Sequence, residues 1–482
     1  MKGMNLVIVI VLVALCLLGW ISMTTQSVSQ TNEYQTCIEQ ADAWVAEGLY
    51  QRAILNYREA LETEATAEIY NKAINAYKAR IAEVKEDVLE DTLGDYEDFL
   101  LEAVAAFPAE ESFAKDLGQF YLDAEDYVDA YVCLRAAVEN GIESNAIMRM
   151  LTQARYAWSY RGSTYSAVTA VDAKICTVAR IGKWGTYDVE EGRIHDYDYV
   201  YVSKTNEDGI VVITNEKDSR LLDEDGMVMG IFKKPVVDAG IFAEDMIAAS
   251  YDGVTYHYYD EFARQLFGGY QKAGTFQDGK AAVKQGNVWF LINEKGEKES
   301  SDFADIALNL KGEYQSNGVI LAAEKAGKYA FYNEKFEKIA DIDATAVDIC
   351  TEDGLVAFCK GEKWGFVDAE GNVLIAPKYE MARSFSHGLA AVCQNGRWGF
   401  IDPNGEVVID MQFTDALYFS EYGVCAVRID MPEEIVEEPE TEDAEENPEE
   451  NSEEESEEES EEEEIVYEEW KLLKLKNEIV ED

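Results

Sequence analysis

Of the residue types that carry enzymatic chemistry, this chain of 482 residues has few in a usable spacing. Its histidines are His195, His257 and His387, distant in sequence and outside any metal-ligand spacing or nucleophile motif. P-loop, GxGxxG and GxSxG patterns do not occur. Eight cysteines stand at 16, 37, 133, 176, 350, 359, 393 and 425, with no CxxC pair. Cys359, Cys393 and Cys425 lie in apolar runs, which marks them as small buried hydrophobes rather than redox or metal thiols. Carboxylates number 96 against 41 lysines and arginines, so no single pair stands out as acid and base. The Asp-x-x-Gly stretches at Asp223, Asp368 and Asp402 lack the ligand series of a calcium loop and read as β-turns. The expectation is a protein without catalytic residues, metal site or cofactor.

The formal net charge is −55, and between Glu433 and Glu469 there are 23 acidic residues and no basic one. The rest of the chain is acidic too. Such a field repels phosphate backbones and excludes nucleic acid as a partner. Cationic partners are attracted, and divalent cations would associate loosely with the acidic stretch without forming a site.

What remains is organisation, and it changes three times along the chain. From Leu6 to Met23 there are 18 uncharged residues, which as a helix span about 27 Å. Trp20 suits an interfacial position, and no small-x-small cleavage site follows. Residues 1–30 are therefore expected to form an uncleaved signal anchor, placing a single-pass protein in the membrane with its bulk extracytoplasmic.

Residues 31–165 show alanine-rich helical periodicity. Gly48, Tyr50, Ala53, Tyr57 and Ala60 resemble the tetratricopeptide repeat signature, in which small residues let paired helices approach and aromatics fill the gaps. Tyr127, Ala130, Leu134 and Ala137 repeat the pattern 77 residues on. The resemblance implies a peptide groove or a helical spacer.

From residue 166 short apolar runs alternate with Gly, Asn and Asp. The stretch GLAAVCQNGRWGFIDPNGEVVI at 388–409 repeats GLVAFCKGEKWGFVDAEGNVLI at 354–375, a period of 34. These units resemble WG repeats, named for Trp364-Gly365 and Trp398-Gly399, with a third full match at Trp184-Gly185. Register extends the Trp column through Ser219, Tyr256, Trp289 and Tyr329, at spacings of 35, 37, 33, 40, 35 and 34. Each unit reads as three short strands joined by tight turns, too small to bury a face alone. Stacked units make either a closed propeller-like ring or an open curved array.

Beyond the acidic run, Trp470 and the residues after it align with Trp398 and its followers, while Gly423 aligns with Gly388. Residues 433–466 are thus expected to be an acidic disordered insertion in the first hairpin of an eighth unit, which 467–482 completes. The fold class expected is multidomain: transmembrane helix, all-α TPR-like repeats, and the all-β array over 166–432. The function expected is a membrane-anchored, non-catalytic protein-interaction scaffold binding a protein or envelope partner. The second reading is a sensory or accessory subunit of a bacterial cell-envelope machine with a cation-responsive acidic loop.

Overall fold

A computed structural model describes residues 28–169, 174–431 and 467–477. The chain divides into two units between Ala157 and Trp158.

The first unit holds seven helices among the described residues: α1 (Val28–Ala46), α2 (Tyr50–Thr63), α3 (Ala67–Ile81), α4 (Glu86–Ala106), α5 (Glu111–Asp123), α6 (Tyr127–Glu139) and α7 (Asn145–Arg155). Short polar side chains start three of them. Thr66, Asp126 and Ser144 accept the backbone N–H of Ile69, Asp129 and Ile147, filling one orphan donor each. Gly48 turns the chain between α1 and α2 at φ +74°. Tyr50 opens α2, half-buried, and Ala53, Tyr57 and Ala60 on the same helix are buried. The Tyr57 hydroxyl donates to Asp42 on α1. Tyr127, half-buried, opens α6, whose Ala130, Leu134 and Ala137 are buried in the equivalent way.

The membrane expectation is corrected. Among the described residues no helix is long and apolar enough to cross a membrane. The apolar segment 6–23, on which both the anchor and the single-pass extracytoplasmic location rested, lies outside the described residues.

The second unit is an eight-bladed β-propeller, which settles the choice left open between ring and open array. Most blades are four-stranded antiparallel sheets, with strands labelled a to d from the axis outward. Blade 7 is typical: Met381–Ala382, Ala390–Gln394, Arg397–Ile401 and Val407–Phe413. Blades 1 to 6 occupy residues 167–199, 201–231, 238–270, 272–293, 305–342 and 346–379. Blade 4 has three strands, its outer position marked by isolated bridges such as Trp289 to Phe303. The sequence shows three strands per unit because strand a is only two residues long, too short to display alternation.

Strand b is buried on both faces, as Ala390 to Cys393 illustrate. Successive residues face different neighbours. Ile320 and Ala322 of blade 5 pack against Ala282 and Leu291 of blade 4, while Leu321 between them packs against Val356 and Phe358 of blade 6. Each blade thus needs both neighbours, and apolar runs replace in–out alternation.

The ring closes at blade 8. Its strands are Asp415–Ala416, Val424–Met431, Tyr467–Leu475 and, outermost, Trp158–Tyr165 from the start of the unit. The central strand pairs on both sides, Val424 with Lys474 and Tyr165 with Trp470. Tyr165, Val424, Ala426 and Leu472 then share a core with Cys176, Val178 and Tyr187 of blade 1. Residues 432–466 separate the two halves of the b–c hairpin.

Candidate functional site

All residues of the Trp column stand in strand c. Trp289 and Trp398 are buried, while Trp184, Trp364 and Trp470 are half-buried. The glycine that follows has a steric reason. In blade 7, Trp398 faces Phe413 and Phe400 faces Ile409, so two steps along strand c match four along strand d. The outer strand bulges onto Gly399, where a Cβ would lie 2.6 Å from the Ile409 carbonyl oxygen and 2.8 Å from the Asp410 carbonyl carbon. Gly365 meets Ile375 and Pro377 in the same way, at 2.4 and 2.7 Å. In blade 1, Gly185 faces Tyr197 beside a register shift. Blade 3 solves the problem from the other side: His257 occupies the glycine column and Gly268 faces it. A Cβ on Gly268 would lie 2.5 Å from the His257 Cα.

The Asp or Asn four residues after the column ties the c–d turn. Asp402 accepts backbone N–H groups of Asn404 and Glu406 at 3.0 Å, and Asn293 and Asn333 hold their turns likewise. These carboxyl and amide oxygens are turn acceptors, as short polar side chains are at such positions. The Trp column therefore builds blades and lies away from the recess described next.

On the face carrying the a–b loops, hydroxyl groups link blade to blade. Thr275 donates to the Lys311 carbonyl at 2.6 Å, Ser316 to Cys350 at 3.0 Å and Ser386 to Phe419 at 2.7 Å. Thr351 donates to the Phe385 carbonyl in the same manner. Each bond satisfies a carbonyl of the next blade, buried in all but the Lys311 case.

The a–b loop of blade 5, residues 307–318, is longer than its counterparts. Lys204 of blade 2 donates to its Leu310 carbonyl at 2.6 Å, and its Lys311 pairs with Glu207 of blade 2 at 2.8 Å. Blades 2 and 5 are not neighbours, so the loop must lie across the mouth of the ring. Beside it, between the a–b loops of blades 2 and 3, opens a recess of about 490 Å³ lined by Glu207, Asp208, Glu244, Asp245, Glu261 and Glu313 above an apolar floor. Lys311 holds the Glu207 carboxyl below its usual range, and burial raises that of Glu313. The signal for this loop was present in the sequence as the one spacing of 40 in the Trp column.

A second charged group sits at the inner strands of blades 6 to 8. Half-buried Asp348 accepts the Ser384 N–H at 2.7 Å and the Tyr418 hydroxyl at 2.7 Å. Arg383 donates to Asp415 at 3.0 Å and to the Ala416 carbonyl at 2.6 Å, its guanidinium 5.2 Å from the Trp398 ring centre. Burial raises the Asp348 carboxyl above its ordinary 3.8. A carboxyl with a raised folded pKa loses stability as pH rises from about 3.8 through that pKa, because the unfolded chain ionises first. Asp348→Ala should cost about 2 kcal/mol by orphaning the Tyr418 hydroxyl and Ser384 N–H. Asp348→Asn should cost less, and its deficit against the parent should shrink between pH 4 and 7 in urea unfolding. A deficit that grows with pH refutes this assignment.

No curated protein matches the chain at a significant level. Among solved structures, BamB from Moraxella catarrhalis is similar at a TM-score of 0.41 and 10% identity, over 57% of this chain and 97% of that one. Hsv2p of Kluyveromyces lactis scores 0.34 at 9% identity, over 55% and 93%. A eukaryotic initiation factor scores 0.38 at 14% identity, over 57% and 84%. At these scores the likenesses carry no inference. The profile of the WG-containing repeat matches residues 269–289, 364–398 and 398–430, spans that coincide with strands of blades 3 and 4 and of blades 6 to 8. Together with the steric role of Gly365 and Gly399, this makes the chain a WG-repeat β protein.

Proposed function

We propose that this chain is a non-catalytic protein-interaction scaffold that meets its partners through the a–b face of the ring. The observation that supports this most is the recess at the mouth, where six carboxylates surround an apolar floor. Among the polar side chains around it, Thr205, Asn206 and Thr275 serve as loop ties, to the Ile175 carbonyl, the Ile210 N–H and the Lys311 carbonyl. The helical unit, with its repeated small and aromatic positions on α2 and α6, is proposed as a TPR-like second binding element.

The test is cross-linked capture on the full chain and on a form in which residues 433–464 are replaced by a short Gly-Ser linker. Retention of the same partners by both forms, released by raised salt, is the expected result. Loss of all partners with the acidic stretch would transfer the function to that stretch and overturn the assignment to the ring.

A further inference from the structure

The recess between blades 2 and 3 is a groove rather than a pit. At its inner end stand Thr275, Lys311 and Glu313 from blades 4 and 5, at the mouth of the ring. At its outer end stand Met229 from the outer strand of blade 2 and Glu261 from the c–d turn of blade 3. Ile210, Ile241 and Phe242 floor it between them. The neighbouring Met227 is 65% exposed, so apolar surface continues past the outer end on the blade 2 side, while on the blade 3 side Phe262 is stacked beneath the Arg264 guanidinium, itself paired with Asp260.

The walls are one-signed. Lys311 is the one cation among the lining residues, and it is already paired with Glu207. Glu244 is held in place by the backbone N–H of Gly279 in blade 4 at 3.0 Å. Asp245 is kept at a conformational cost: it occupies the second turn position of its a–b hairpin at φ +61°. Blades 4, 5 and 7 use Gly279, Gly318 and Gly388 there. Among the described residues, no group of three His, Cys, Asp or Glu is close enough to hold a metal ion. The carboxylates are spread along the groove, which suits a ligand with several spaced cations better than a single ion.

We propose that this groove binds an extended basic segment of a partner protein, with apolar side chains on the Ile241–Phe242 floor and arginine or lysine side chains on the acidic walls. Alternation along an extended chain sends successive side chains to opposite sides, which matches an apolar floor beneath charged walls. The inference rests on the scaffold reading and names the partner's chemistry.

The test is fluorescence anisotropy with the full chain and a labelled heptapeptide alternating Arg and Leu, at about 0.15 M salt. A Glu–Leu heptapeptide serves as the control. Glu244→Lys with Glu261→Lys should weaken Arg–Leu binding at least tenfold. Glu334→Lys with Glu370→Lys alters charge equally on the c–d turns of blades 5 and 6, and should change binding less than twofold. Met229→Ser should weaken the Arg–Leu peptide and leave an Arg–Gly peptide unaffected. Equal loss in both charge-reversed pairs, or no loss in the first, overturns the groove. If the first pair leaves peptide binding intact while cross-linked partners persist, the groove assignment fails and the scaffold reading stands.

Discussion

Ending the chain after Asp430 is expected to abolish the folded ring. The deletion removes the central strand of blade 8, Tyr467–Leu475, whose Leu472, Leu473 and Leu475 are at most 1% exposed. Their burial alone is worth about 4.5–9 kcal/mol at the usual value per leucine. The strand also pairs on both sides, so its loss orphans two ladders and leaves Trp158–Tyr165 with nothing to join. A net folding free energy of about 5–15 kcal/mol does not survive that. The internal deletion of residues 433–464 should do the opposite. Shortening the hairpin connection lowers its closure entropy by about 2 kcal/mol, since each halving is worth about 0.6. Thermal unfolding separates the two when the β ring is followed apart from the helical unit, by near-UV circular dichroism of its aromatic side chains: the ring's transition is lost in the truncation and has an unchanged or raised midpoint in the internal deletion. A truncated form that melts like the parent would show that the last strand is dispensable.

The second large effect concerns one methyl group. Gly399→Ala places a Cβ 2.6 Å from the Ile409 carbonyl oxygen, against backbone that is itself paired in the sheet. A flexible side chain could move aside, but a bulged strand packed beside blade 8 has no comparable freedom. Overpacking of this kind costs about 1–3 kcal/mol, and the upper end is expected here and at Gly365. Gly396→Ala is the useful comparison. Its φ is +71° in an exposed two-residue turn with nothing within 4 Å, so it reports the left-handed penalty alone. If the steric account holds, Gly399→Ala loses more than Gly396→Ala in denaturant midpoint. Equal losses would mean that conformation, not the approach of strand d, selects glycine after tryptophan.

Much of the β ring was legible because the repeat restates its own turn chemistry. Asn395-Gly396 marks a hairpin and Asp402 to Gly405 marks a turn, and the Asp or Asn that opens the second turn survives in copies whose Trp is gone, at Asp223, Asp260 and Asn333. What stayed hidden has physical reasons. The inner strands are two residues long, below any periodicity. Closure joins Trp158–Tyr165 to a strand some 300 residues away, and the run Trp-Ser-Tyr-Arg-Gly-Ser-Thr-Tyr sits next to helical sequence without a Trp-Gly mark. The recess is built from loops, which carry no repeat: Glu207, Glu244 and Glu313 look like any other acidic residues until Lys204 and Lys311 bring blade 5 across the mouth. The apolar segment 6–23 shows the reverse case, in which composition alone supported a membrane reading.

The shared blade 8 also sets a timetable. During synthesis Tyr165 emerges about 300 residues before Trp470, its partner in the sheet. At about 5–20 residues per second, that is a wait of about 15–60 seconds. Through it the Cys176–Val178 side of blade 1 has no opposite face, and the closing strand is an unpaired edge of the sort that templates association. Any blades that form within that interval make an open crescent with an unpaired edge, and a ribosome that stalls within the acidic codons delays closure for as long as it stalls.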